Sequence, residues 1–298
     1  MTSSLRYVVI TPARNEEANL ARLAECLVRQ SIRPELWMIA DDASTDATPQ
    51  IAEDYAANHD FIRHLRLDAS SAGGYANRMA GGAAPRAFNR ALATVDVKWD
   101  VICKLDGDLS FHDDYFEGLL GRFDADPSLG IGGGHCFEWH GDELKMEWVP
   151  DYHVRGATKA YRRECFEQIG GVEEVLGWDG IDEIRAQMTG WSTRSFADLP
   201  VIHHRPTGSR GGTLKGRVRG GRCNYYLGYS PSFMLARCIR RMADPPYVVG
   251  GLAMFWGYAL SSLQRRERYH DLEFQRYLRA TQRQRLGQSL AALVRHGR

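Results

Sequence analysis

With 298 residues, 44% of them hydrophobic and 25% charged, the chain is long enough to bury a large core and too apolar to remain disordered. Its net charge of +1 gives no reason to expect a polyanionic partner for the whole chain, but the charge is unevenly placed: residues 205–298 hold 18 Lys+Arg against 4 Asp+Glu, and residues 1–204 hold 20 against 33. An acidic body with a basic tail is a division of labour in which the tail meets phosphates or anionic lipid.

Residues 5–110 alternate between strand and helix patterns. Residues 7–11 are a short apolar run broken by Pro12 and Asn15, and Leu20, Leu23, Leu27 and Val28 follow at helical spacing. Residues 36–40 read as a second buried strand closed by Asp41 and Asp42, after which Ser44, Thr45 and Asp46 offer caps to a helix carrying Ile51 and Tyr55. Residues 62–67 form a third strand pattern, 87–95 a helix, and 101–105 a strand ending in Asp106. Apolar strands alternating with helices predict an α/β sheet with a parallel core, whose ligands sit at the carboxyl ends of the strands. Beyond residue 130 the pattern is mixed: Gly132, Gly133 and Gly134 fall within a strand, 182–190 is a short helix, 201–204 another strand end, and 208–221 a Gly/Arg-rich loop.

Three acidic stations stand out against this frame. In Asp106-Gly107-Asp108 two carboxylates one residue apart at a strand end can share a hard divalent cation and ribose hydroxyls, which suits Mg²⁺ or Mn²⁺. Asp41-Asp42 closes another strand at the same expected edge, where a carboxylate can accept from a base N–H. Asp179, Asp182 and Glu183, within GWDGIDEI at 177–184, supply candidates for a base that deprotonates an attacking hydroxyl. In His203-His204-Arg205 an imidazole, His204, is a further candidate metal ligand, and Arg78 and Arg86 around Gly81-Gly82 are candidate phosphate holders.

Together these motifs resemble family-2 glycosyltransferases of the GT-A fold, a Rossmann-like mixed α/β sheet flanked by helices, over residues 5–205. VVITPARNEE at 8–17 is similar to their opening strand and nucleotide loop, which implies donor contacts from Thr11, Pro12, Ala13, Arg14 and Glu16. DDASTD at 41–46 matches their acidic turn and implies Asp42 at the base; KLDGD at 104–108 matches their metal motif and implies Lys104, Asp106 and Gly107 beside the donor and Asp108 on the metal. GATKAYRRECFEQIGG at 156–171 is similar to the segment before their catalytic acid. Counting back twelve residues from Trp191 assigns Asp179 as base, but Trp178 stands where the family usually has Glu, which leaves Asp182 as an alternative. The resemblance implies an inverting, metal-dependent transfer from a UDP- or GDP-type sugar donor to a saccharide or lipid-linked acceptor. The rival readings are a nucleotidyltransferase, disfavoured because the 11–16 turn lacks glycine, and a non-catalytic sugar-nucleotide scaffold.

The expected division is a catalytic domain over 1–207 and a helical, basic, membrane-associated region over 208–298, in which HHRPTG at 203–208 and PPYVVGG at 245–251 resemble bacterial members that make cell-surface polysaccharides and glycolipids. Residues 245–264 carry no charge and are flanked by Arg240, Arg241, Arg265, Arg266 and Arg268. Their Pro and Gly content makes an in-plane element the expectation rather than a spanning helix. Six cysteines without a CxxC pair, and an opening without a basic stretch or cleavage site, predict a reducing, cytoplasmic setting at the inner face of the plasma membrane.

Overall fold

The computed structural model describes residues 3–68, 82–205 and 212–296. They form two compact units, 1–206 and 207–298. The first unit runs β1 (Tyr7–Ala13), α1 (Leu20–Val28), β2 (Leu36–Asp42), α2 (Thr48–Asn58), β3 (Ile62–Leu67), α3 (Ala83–Leu92), β4 (Val101–Leu105), β5 (Leu109–Phe111) and α4 (Tyr115–Ala125). It continues with β6 (Leu129–His140), β7 (Glu143–Met146), β8 (Thr158–Arg162), α5 (Arg163–Gln168), α6 (Trp178–Met188) and β9 (Ser192–His203).

These strands make one mixed sheet in the order β3-β2-β1-β4-β8-β6-β9-β5, with β7 paired to β6. The first four are parallel. β8 runs antiparallel to β4, and β9 runs parallel to β6. Both faces of β1 and β2 are apolar, so period-two alternation divides them between two cores. Tyr7, Val9, Trp37 and Ile39 pack with α1 and α4 on one face, around Leu20, Leu23, Phe116 and Phe123. Val8, Ile10, Leu36 and Met38 pack with α3 and α5 on the other, around Phe88 and Phe166. Because β1 pairs in parallel with both β2 and β4, the carboxyl ends of β2 and β4 open on the same edge of the sheet.

Two expectations about local structure need correction. Of Ser44, Thr45 and Asp46 only Asp46 serves the start of α2, its carboxylate accepting from the Thr48 N–H at 3.0 Å, while the N-cap position itself is Ala47. The Ser44 hydroxyl instead accepts from the Asn15 N–H at 3.0 Å, and the Thr45 N–H donates to the Asn15 side-chain oxygen at 2.9 Å. The turn is stitched to the loop after β1 because both leave the same sheet edge. Residues 208–221 are not all loop. Residues 206–211 lie outside the described residues, and 213 onward is helical.

The second unit comprises α7 (Thr213–Tyr226), α8 (Pro231–Arg241), α9 (Val249–Leu263) and α10 (Leu272–His296). Gly221, one of the glycines that suggested a loop, is a contact point between helices, as is Gly257 on the facing helix. A Cβ on Gly221 would strike the Met254 carbonyl oxygen, and one on Gly257 would strike the Val218 carbonyl oxygen. α7 and α9 therefore approach backbone to backbone, a distance only glycine permits. Among the described residues no helix is long and apolar enough to cross a membrane.

Candidate active site

At the end of β2 two adjacent aspartates have different tasks. Asp41 is fully buried and organises the turn: its carboxylate accepts from the Ser44 N–H at 2.8 Å and from Arg66 at 2.6 Å, with His64 at 3.7 Å. Burial alone would raise its pKa, but the adjacent His64 ring, the hydrogen bonds from Ser44 and the charge of Arg66 outweigh that and bring it down to about 2. Asp42 points to Arg14, which donates to the Asp42 carbonyl oxygen at 2.6 Å and lies 3.5 Å from its carboxylate. Asp42 and Arg14 thus sit together at the mouth of the parallel strands, as the sequence predicts. Pro12 and Ala13 are the last residues of β1, in register with Ala40 and Asp41. Thr11 is different: its hydroxyl is in the core, accepting from the Trp37 indole N–H at 3.0 Å.

At the end of β4 the structure gathers Asp106, Asp108 and His203, each offering one ligand atom, all within 4.8 Å of one another. The imidazole is His203 rather than His204. β9 ends at His203, whose Nε2 is 3.2 Å from Asp108. The His204 ring, one residue beyond the strand, turns to Ser110 at 2.7 Å. Adjacent residues at a strand end point to opposite sides, and the sequence alone does not say which faces the aspartates. Arg205 follows, donating through Nε to Asp108 at 2.9 Å and pairing with Glu16. Glu16 lies against Gly107, so the loop after β1, the Asp-Gly-Asp turn and the end of β9 close on one point. Burial works against the Asp108 charge, but His203 and Arg205 more than compensate and hold its pKa at about 2. Two carboxylate oxygens and an imidazole nitrogen in one cluster are a donor set that fits a hard divalent cation such as Mn²⁺ or Mg²⁺.

Lys104, buried in β4, pairs with Asp106 and donates to the Gly156 carbonyl oxygen at 2.8 Å. Its ammonium lies 5.4 Å from the Trp178 ring. α6 starts at Trp178, one turn earlier than expected, which puts Asp179 in its first turn. Asp179 is close to Gly156, where a Cβ would lie 3.2 Å from its own Cβ. Lys104 and Gly156 therefore link the Asp-Gly-Asp turn to Asp179 in two contacts.

The two candidate bases are in unlike places. Asp179 is half-buried. Burial opposes its charge, but Lys159, His153, Arg155 and Lys104 outweigh that and lower its pKa. Asp182 is 2% exposed and committed on every side: it accepts from Lys159 at 2.8 Å, from the Glu183 N–H at 2.6 Å and from the Tyr161 hydroxyl at 2.5 Å. Burial raises its pKa, while Glu183, 3.1 Å from the same Lys159, adds to the rise. Asp182 ties α6 to β8 and faces no open space. Lys159, Tyr161, His153 and Arg155 surround this station, and the sequence assigns none of the four a role there: a lysine in a strand reads as solvent-facing until the fold buries it.

Of the candidate phosphate holders, Arg86 lies in α3 and donates to Glu174 at 3.3 Å, and Arg78 is outside the described residues.

The mixed sheet with its acidic clusters at the carboxyl ends of β2 and β4 defines a GT-A glycosyltransferase. The chain belongs to glycosyl transferase family 2, whose family model matches residues 8–170. It is similar to a beta-monoglucosyldiacylglycerol synthase of Nostoc sp., 40% identical over 75 residues, and to one of Trichormus variabilis, 38% identical over 78. The first match covers 24% of this chain and the second 25%, and the chain spans only 16% of the length of either relative. Similar solved structures include the mannosyltransferase PcManGT of Pyrobaculum calidifontis in complex with GDP-Man and Mn²⁺. Its TM-score is 0.55 at 18% identity, over 97% of this chain and 81% of that one. S. aureus TarS 1-349 in complex with UDP is another, with a TM-score of 0.53 at 14% identity over 90% of this chain and 93% of that one. At these identities the structural likeness concerns the fold.

Proposed function

We propose that this family-2 glycosyltransferase moves a sugar, with inversion, from a UDP- or GDP-sugar to the hydroxyl of a saccharide or lipid-linked acceptor in cell-surface glycan or glycolipid synthesis, working in the cytoplasm beside the plasma membrane. The observation that carries the reading is the convergence of Glu16, Asp106, Asp108, His203 and Arg205 on one point at the sheet edge that also presents Asp42 and Arg14. Asp42 and Arg14 hold the base end of the donor, and Asp106 lies nearer the ribose. Asp108, Asp106 and His203 would hold a divalent cation, which when bound would neutralise charge on the leaving diphosphate. Arg205 carries a fixed positive charge at the same point, able to follow the diphosphate as negative charge builds.

Asp179 takes the acceptor proton. Its surrounding cations keep it ionised, and unlike Asp182 it retains some exposure through which a hydroxyl could reach it. Asp182 holds the frame. Binding energy is spent on positioning, and the chemistry needs one carboxylate and a stabilised leaving group.

The test is thermal unfolding with a panel of nucleoside diphosphates, with and without Mn²⁺. A ligand that binds only the folded protein raises the midpoint. A rise with UDP or GDP that needs the metal, and is absent in Asp108→Ala, supports the reading. No rise under any condition removes the donor site and leaves the scaffold alternative.

A further inference from the structure

We infer that α9 is an in-plane docking element for a bilayer containing anionic lipid, through an apolar face that the second unit leaves uncovered. This rests on the membrane setting proposed above but not on the chemistry of the catalytic unit.

α9 has no charged residue over its length. One face is taken up by packing: Gly250, Gly251, Met254, Gly257, Tyr258 and Ser261 are buried. The opposite face is as apolar and stays in solvent, with Leu252 at 53%, Trp256 at 60% and Leu263 at 79% exposure, flanked by Phe255 at 43%. Leu252, Trp256 and Leu263 recur at four and seven residues, so they form a single stripe along the helix. Tyr247, Val248 and Val249 extend the apolar surface at its N-terminal end. A helix apolar all round is ordinarily covered on both sides, and large exposed patches of this kind mark interaction sites.

Charge identifies the occupant. Arg265 and Arg266 follow α9 directly and are exposed, Arg240 lies at the end of α8, and residues 205–298 hold 18 Lys+Arg against 4 Asp+Glu. A second copy seated on the same face by two-fold symmetry would bring these arginines against their own kind. An anionic lipid surface complements them, and Trp, Phe and Leu on one face between basic flanks is the pattern of a helix lying in the headgroup region. The length of α9, 15 residues, suits lying in the interface rather than crossing it.

The full chain is sedimented with vesicles of phosphatidylcholine alone and of phosphatidylcholine with phosphatidylglycerol, at low and high salt. The expected result is partition onto the phosphatidylglycerol vesicles, weakened by salt. Leu252→Glu with Trp256→Glu should lower that partition at least tenfold. Arg265→Glu with Arg266→Glu should lower it by a similar amount, since each surface arginine is worth about fivefold on anionic lipid. Arg268 is left in place because it stacks on Tyr225, at 4.6 Å from the ring. Both variants change exposed residues, and the second leaves α9 untouched, so loss of binding in both cannot be misfolding of the helix. The inference is overturned if wild type ignores both vesicle types at low salt, or if the apolar variant binds as wild type does. It is also overturned if wild type is a dimer that Leu252→Glu with Trp256→Glu makes monomeric, which would make a second copy the occupant. Nucleotide-induced thermal shifts of the same proteins test the donor site separately: either result can fail while the other stands.

Discussion

Replacing Asp179 and Asp182 one at a time separates the base from the frame. If Asp179 takes the acceptor proton, Asp179→Asn removes general-base assistance, typically 10²–10⁴ in rate, which is roughly 3–5 kcal/mol of barrier. Donor affinity should hold, because the residue faces the acceptor hydroxyl. Asp182→Asn should behave otherwise. Its oxygen can still accept from Lys159 and the Glu183 N–H, and its amide can donate to the Tyr161 hydroxyl oxygen. Burial already favours the uncharged form at this position, so the cost in stability is about 1 kcal/mol and activity stays near wild type. Asp182→Ala, in contrast, leaves the buried Tyr161 hydroxyl and the Glu183 N–H without an acceptor, while Lys159 keeps Glu183 at 3.1 Å. Two orphaned groups cost about 2–5 kcal/mol. The assay is release of nucleoside diphosphate from UDP- and GDP-sugars in Mn²⁺, paired with urea unfolding of each variant. Asp179→Asn keeping more than about a tenth of wild-type turnover, or a folded Asp182→Asn losing as much as Asp179→Asn, would refute the assignment.

Three further outcomes follow from the geometry. Gly156→Val would push a side chain against Asp179 and Trp178, so turnover should fall at least tenfold while the nucleotide-induced melting shift survives; losing both together would mean Gly156 supports the whole site. Asp41 has a depressed pKa of about 2 against 3.8 for the free group, so its ionised form stabilises the fold above about pH 4 and that contribution is lost as pH falls towards 2. The loss amounts to about 2 kcal/mol of unfolding free energy, read by urea titration at each pH, and Asp41→Asn should flatten this part of the profile. Gly257→Val would drive Cβ into the Val218 carbonyl, separating α7 from α9 at a cost of about 3 kcal/mol or more, read as protease sensitivity beyond residue 212.

Much of the catalytic unit was legible in the chain because its signals are local. Continuous apolar runs ending in acid, at 36–42 and 101–106, need only neighbouring residues to be recognised, and parallel sheets bring such ends to one edge. The Asp-Gly-Asp turn and Asp42 were readable for that reason. What depended on distant partners was not. His203 and His204 are equivalent in sequence, and only the register of β9 against β5 and β6 turns His203 to Asp108 and His204 to Ser110. Asp179 and Asp182 are both acids at the start of one helix. Burial of Lys159 and Tyr161 on β8 makes Asp182 an anchor, whereas Asp179 stays partly exposed. The glycines of α7 read as a loop because propensity counts their backbone entropy, whereas the tertiary structure uses the missing Cβ of one of them, Gly221, to bring α9 into contact. Composition and local period determined the class of fold and its acidic edge. Which of His203 and His204 turns to Asp108, and which of Asp179 and Asp182 is tied into the core, was decided by strand register and burial, which no local stretch of sequence encodes.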